Sequence, residues 1–154
     1  METMKFGKWT LGYDKRATED AYAKVPMGDA ERCNCLYCRN FLRARNFVYP
    51  PDVLGLFRQV GIDYRKESET FYLNREHSGL HSYGGWFHII GNLPPKSEGV
   101  TANENLQFTS DEETFIWILS SDIGPHHNAF DGYSLVEFYF LARIPWVLNE
   151  LASD

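Results

Sequence analysis

The stretch Tyr133-Ser-Leu-Val-Glu-Phe-Tyr-Phe-Leu-Ala-Arg-Ile144 sets apolar residues at every second position. Val136, Phe138, Phe140 and Ala142 share one face; Glu137, Tyr139 and Arg143 share the other. Period two is the spacing of a β-strand, whose successive side chains point to opposite faces. Pro145 ends the run, since proline has no N–H to give to a ladder. The same alternation recurs upstream. In Tyr83–Leu93, Trp86, His88 and Ile90 oppose Phe87 and Ile89. Short strands are expected at 71–73 and 106–109. Thr114–Ser120 is apolar on both faces, which predicts a central strand covered on one side by helices. Trp9, Leu11 and Tyr13 alternate with Lys8, Thr10 and Gly12, predicting a first strand over 5–13.

Two segments change period. Tyr37, Phe41, Ala44 and Val48 fall at i, i+4, i+7 and i+11, predicting a helix over Cys35–Asn46. Pro50-Pro51-Asp52 then opens a second helix, because proline is tolerated in a first turn where its missing N–H would have no partner. Val53, Leu56, Phe57 and Val60 form its apolar stripe, and Gly61-Ile62 reads as a left-handed cap. Residues 16–29, 93–99 and 122–132 read as loops from their polar, proline and glycine content. Two consecutive helices among five or six strands with short connections give an α+β fold. The expected architecture is a mainly antiparallel sheet with both helices packed on one face, in a single domain over 1–154.

Composition narrows the function. The chain has 154 residues, 44% of them hydrophobic and 16% aromatic, with 15 Lys+Arg against 21 Asp+Glu. That length can bury a core without disulfide staples. A net charge of −6 without clustered Lys/Arg argues against nucleic acid or an anionic membrane as partner. No run approaches ~18 uncharged apolar residues and the N-terminal stretch carries charges, so a cytoplasmic protein is expected. A small molecule or, more readily, another protein is the expected partner.

The sharpest motif is Cys33-Asn-Cys35-Leu-Tyr-Cys38. If Cys35 begins a helix, Cys35 and Cys38 lie on one face, and Cys33 in the preceding turn can turn its sulfur to the same point. Three thiolates so placed suit zinc, which takes sulfur ligands in a tetrahedron. The fourth ligand must come from elsewhere, from His77, His81, His88, His126 or His127, and His81 is the first choice because His77–Tyr83 reads as a mobile loop. Two other readings compete. Free cysteines can serve as small hydrophobes. Alternatively, Cys35-Leu-Tyr-Cys38 can do redox work at a helix N-terminus that lowers a thiol pKa. The redox reading ranks below zinc because turn residues 27–32, and not a strand, lead into the motif.

The run Arg32–Phe41, followed by Tyr49-Pro-Pro51, Leu56-Phe57, Gly61-Ile-Asp63, Gly84-Gly-Trp-Phe-His88 and Ile144-Pro-Trp146, resembles a family of uncharacterised bacterial proteins with a C-x-C-x-x-C-x-N-F motif. The resemblance spans most of the chain. It implies a cytoplasmic bacterial domain of unknown function and no catalytic residue.

Other chemistry is weaker. His77 and His81 have helical ligand spacing, but no Glu follows the first and Gly79 intervenes. His88 reads as a core histidine bonded to a neighbour. Pro125-His126-His127-Asn128, flanked by Asp122 and Asp131, reads as a surface loop with some metal or acid–base potential. No G-x-S-x-G elbow or phosphate loop occurs. The leading expectation is a non-enzymatic protein-binding domain with a structural zinc site at Cys33, Cys35, Cys38 and His81. The alternative is a zinc-dependent hydrolase using Asp122, His126 and Asp131, and a thiol redox protein ranks third.

Overall fold

The computed structural model describes residues 1–6, 9–93, 106–111 and 114–151. Among these, seven strands and four helices form the α+β fold: β1 Glu2–Phe6, β2 Trp9–Tyr13, α1 Lys15–Ala23, α2 Asp29–Arg32, α3 Leu36–Ala44, α4 Pro51–Val60, β3 Glu69–Arg75, β4 His81–Asn92, β5 Leu106–Asp111, β6 Phe115–Ser120 and β7 Leu135–Ile144. Every strand pair is antiparallel, in the order β1-β2-β4-β7-β6-β5, with β3 also paired to β4.

The expected alternation of the two long strands holds. Val136, Phe138, Phe140 and Ala142 are buried, and β4 pairs with β7 over the whole span from His81↔Ile144 to Ile90↔Leu135. β6 lies one strand in from β5, the end of the sheet order, and its Phe115, Trp117 and Leu119 face is buried, as is Ser120 at its end. β6 pairs on both sides, with β5 and β7, and its Ile116 and Ile118 face is half-buried, so the expected strand inside the sheet and covered on one side holds. The expected loop over 93–99 lies, beyond Leu93, outside the described residues.

Helix α4 follows the sequence reading closely. Pro51 stands in the first turn, and Gly61 adopts φ +95°, a left-handed conformation that a side chain would strain. The N–H groups of Gly61 and Ile62 both donate to the Phe57 carbonyl, at 2.8 and 2.9 Å, closing the helix end. α4 and α3 bury Phe57 and Phe41 against the sheet. Phe57 meets Phe87 and Phe138 with ring centroids 4.9 Å apart in each case, and Tyr49 packs on Phe57, Phe87, Phe115 and Phe140. Burying one such ring contributes roughly 1.5–3 kcal/mol, so this aromatic layer dominates the core.

The expected loop over 16–29 is corrected in its first half, where α1 forms. Asp14 caps it by accepting the Ala17 N–H at 3.0 Å. Its buried stripe is Thr18, Ala21 and Tyr22, too polar and too short for hydropathy to mark. Its stability comes from an unusual station at the edge of β4. β3 pairs with β4 up to Trp86, and β2 resumes only at Gly91, leaving His88 and Ile90 without a partner strand on that side. α1 supplies the missing bonds: Tyr22 Oη donates to the His88 carbonyl at 2.8 Å and accepts its N–H at 3.1 Å. Thr18 Oγ1 accepts the Ile90 N–H at 3.1 Å, and Asp14 N–H donates to the Ile90 carbonyl at 2.8 Å. Buried backbone groups must find partners, and here a helix stands in for a strand.

Candidate metal centre

Cys33 closes α2, where its N–H donates to the Asp29 carbonyl, and it holds an extended backbone at φ −90°, ψ 116°. Cys35 is also extended, at φ −77°, ψ 162°, and is the N-cap of α3. Residues i and i+2 of an extended segment point the same way, which turns Cys33 toward Cys35. Cys35 Sγ accepts the Cys38 N–H at 3.3 Å, the capping bond that a serine or aspartate oxygen ordinarily makes. Cys38 therefore lies one helical turn along on the same side.

The three sulfurs lie within 4.8 Å of one another. Tetrahedral zinc with sulfur at ~2.3 Å sets its thiolates about 3.8 Å apart, so small rotamer changes would bring all three into one sphere. Among the described residues this is the one group of three or more His, Cys, Asp or Glu side chains gathered so closely. Cys33 and Cys35 are exposed and Cys38 is buried, so the site opens to solvent on one side.

The thiols differ electrostatically. Partial burial works against ionisation of Cys35, but the Cys38 N–H and hydrogen bonds from the neighbouring thiols outweigh it and lower its pKa. Burial pushes the Cys38 thiol strongly up, and the two other sulfurs add to that. A site that favours the thiolate at Cys35 and disfavours it at Cys38 when no cation is present is chemically suited to a metal.

His81 does not join the gathered thiols. It begins β4, so the expected mobile loop around it shrinks to the turn at 76–80. Its Nδ1 is hydrogen-bonded to Tyr72 Oη at 2.9 Å and its ring lies 5.0 Å from Trp146, with 2% of its surface exposed. Tyr72 in turn stacks on Tyr37 at 3.9 Å, which places His81 behind an aromatic layer at the start of α3. His126 meets Asp131 at 3.6 Å, while His127 Nε2 is bonded to the carbonyls of Lys66 and Glu67. Neither histidine, nor Asp122, belongs to a gathered ligand set among the described residues.

Sequence reasoning missed how the motif is anchored. Asn40, two residues after Cys38 and buried, donates from Nδ2 to the Pro145 carbonyl at 3.2 Å and accepts the Val147 N–H on Oδ1 at 2.8 Å. The exposed pair Arg39–Glu150 at 2.9 Å adds a second tie between α3 and the segment after β7. A polar residue on the apolar face of a predicted helix was the available signal. Comparisons with protein-family models, curated proteins and solved structures find no match to this chain.

Proposed function

We propose that Cys33, Cys35 and Cys38 hold a zinc ion as a structural brace between α2 and α3, in a domain that works by contacting another protein. The observation that carries this is the convergence of three sulfurs within 4.8 Å on a helix cap. Three thiolates, with no carboxylate gathered among them in the described residues, are the donor set of a structural zinc site more than of a hydrolytic one. His81 is the candidate for the fourth ligand within the chain. The alternative is a solvent or partner donor at the exposed side, formed by Cys33 and Cys35.

The partner reading rests on the sheet face opposite α3 and α4. Phe71, Trp86, Tyr139, Leu141, Ile116 and Ile118 lie on it half-buried, and Leu73 beside them is 48% exposed. Aromatic-rich apolar surface of this kind is enriched where proteins meet. The absence of any described helix long and apolar enough to cross a membrane fits a partner met in aqueous solution.

The test is metal content of protein purified without chelator, with thiol titration before and after unfolding. About one zinc per chain with thiols protected until unfolding supports the site, and Cys35→Ser should abolish both. Cobalt substitution then separates the fourth ligands, because His81→Phe changes the cobalt absorption only if that imidazole is bound. Metal-free protein that takes up no zinc, with three freely titrated thiols, would overturn the reading.

A further inference from the structure

Across the β4–β7 pair, His88 stands directly opposite Glu137, so their side chains share a face at the closest cross-strand distance. His88 Nε2 lies 3.1 Å from Glu137 Oε1, and Nδ1 lies 2.9 Å from Ser68 Oγ. Glu137 is held in turn by the Gly124 N–H, 2.8 Å from the same oxygen. His88 has no exposed surface and Glu137 has 8%, so the imidazole is shut off from water and the carboxylate nearly so. A carboxylate only accepts, which sets the neutral ring with hydrogen on Nε2 and the lone pair on Nδ1, facing the serine hydroxyl.

A buried histidine satisfied at both nitrogens is ordinary in a core. Ser68 departs from that, because it lines an open cleft of about 500 Å³ between Lys24–Pro26 and α2 on one side and Pro125–Ala129 on the other. Half-buried Ser68 thus borders an open cleft, whereas its base has no exposed surface and the orienting carboxylate very little. The same cleft is lined by Lys24 and Arg32 and by the carboxylates Asp29 and Glu69, so its walls carry charge of both signs.

We infer that Ser68, His88 and Glu137 form a nucleophilic site for acyl transfer from a small carboxylic ester. Ser68 Oγ attacks the ester carbonyl carbon and its proton passes to His88 Nδ1. The C–O bond to the alcohol breaks, and that alcohol leaves with the proton from His88, giving an acyl-serine. Water then attacks the acyl carbon, gives a proton to His88, and the acid departs as Ser68 regains its hydrogen. Ester and water become acid and alcohol with no other reactant. Ser68 is the catalytic residue in contact with substrate, His88 carries the proton, and Glu137 is a positioning residue that fixes the tautomer. This site is separate from the thiol cluster and departs from the non-enzymatic expectation.

The experiment is labelling of the native protein by a fluorophosphonate, read by intact mass and peptide mapping, beside p-nitrophenyl acetate hydrolysis. The expected result is one adduct per chain, on Ser68, formed at least about tenfold faster than in the urea-unfolded chain. Ser68→Ala should lose adduct and hydrolysis. Glu137→Gln, with folding verified by circular dichroism, should slow labelling about tenfold or more and shift its pH profile. Labelling no faster than in the unfolded chain, an adduct elsewhere, or an unchanged rate and pH profile in a folded Glu137→Gln variant would overturn the proposal.

Discussion

Tyr22 closes both backbone groups of His88 with one hydroxyl, donating to the carbonyl at 2.8 Å and accepting the N–H at 3.1 Å. A helix side chain therefore completes the edge of the longest strand at the place where neither neighbouring strand reaches. The same ring packs edge-on against buried Phe130 at 4.9 Å, tying α1 to the turn at 128–130.

Removing that hydroxyl as Tyr22→Phe keeps the ring packing but leaves two buried backbone groups without partners. Unpaired buried groups cost ~1–3 kcal/mol each, so the expected loss is about 2–4 kcal/mol in urea unfolding with little change in the m-value. A loss below about 1 kcal/mol would mean the edge is bridged another way.

Asn40→Ala removes the clamp on Pro145 and Val147. The expected outcome is a stability loss of about 2 kcal/mol, together with faster amide exchange at Val147 than in the wild type. Exchange at Val147 equal to wild type would show that the Arg39–Glu150 tie suffices.

In metal-free reduced protein, Cys35 should alkylate first and Cys38 last. The burial of Cys38 and its two neighbouring sulfurs raise its pKa, whereas the bonds to Cys35 outweigh its slight burial and lower it. Peptide mapping of iodoacetamide adducts over time gives the order, and adding zinc should slow all three. Equal rates at Cys35 and Cys38 would contradict the electrostatic picture.

Glu67, with no exposed surface, is raised from 4.5 to about 7 chiefly by burial, which the Ala30 N–H at 2.9 Å only partly offsets. The folded chain thus holds this proton more tightly than the unfolded one. The resulting stabilisation is complete below about 4.5 and is lost as pH rises through about 7. Unfolding free energy from this group should fall by about 2–3 kcal/mol between pH 5 and 8. Glu67→Gln should flatten that slope, gaining on wild type at pH 8; parallel pH profiles for the two proteins would refute the assignment.

Much of the fold was legible because its signals are local. The alternation in Tyr133–Ile144 and Tyr83–Leu93 marks β7 and β4, and Pro51 and Gly61 mark the ends of α4. The Cys33, Cys35, Cys38 spacing likewise carried its own geometry, since an extended residue followed by a helix cap aligns the three. α1 was not legible, because its helix is held by Thr18 and Tyr22 bonding to β4, and neither residue strengthens a hydropathic period. Glu137 reads as an outward polar residue of a strand, yet it is buried by the loop at 122–131 and paired with His88.

What the sequence by itself determined was therefore whatever backbone periodicity and neighbour sterics decide within a few residues: the strand pattern, the ends of α4, and the meeting of three thiols. Only the tertiary structure decided which polar groups pair across the chain. Ser68 lies 20 residues from His88 and His88 lies 49 from Glu137. Such contacts depend on strand register and loop placement, which arise from packing of the whole sheet and leave no periodic trace in the chain. The same reason governs the gap at the β4 edge, which exists only because β2 and β3 both stop short of His88.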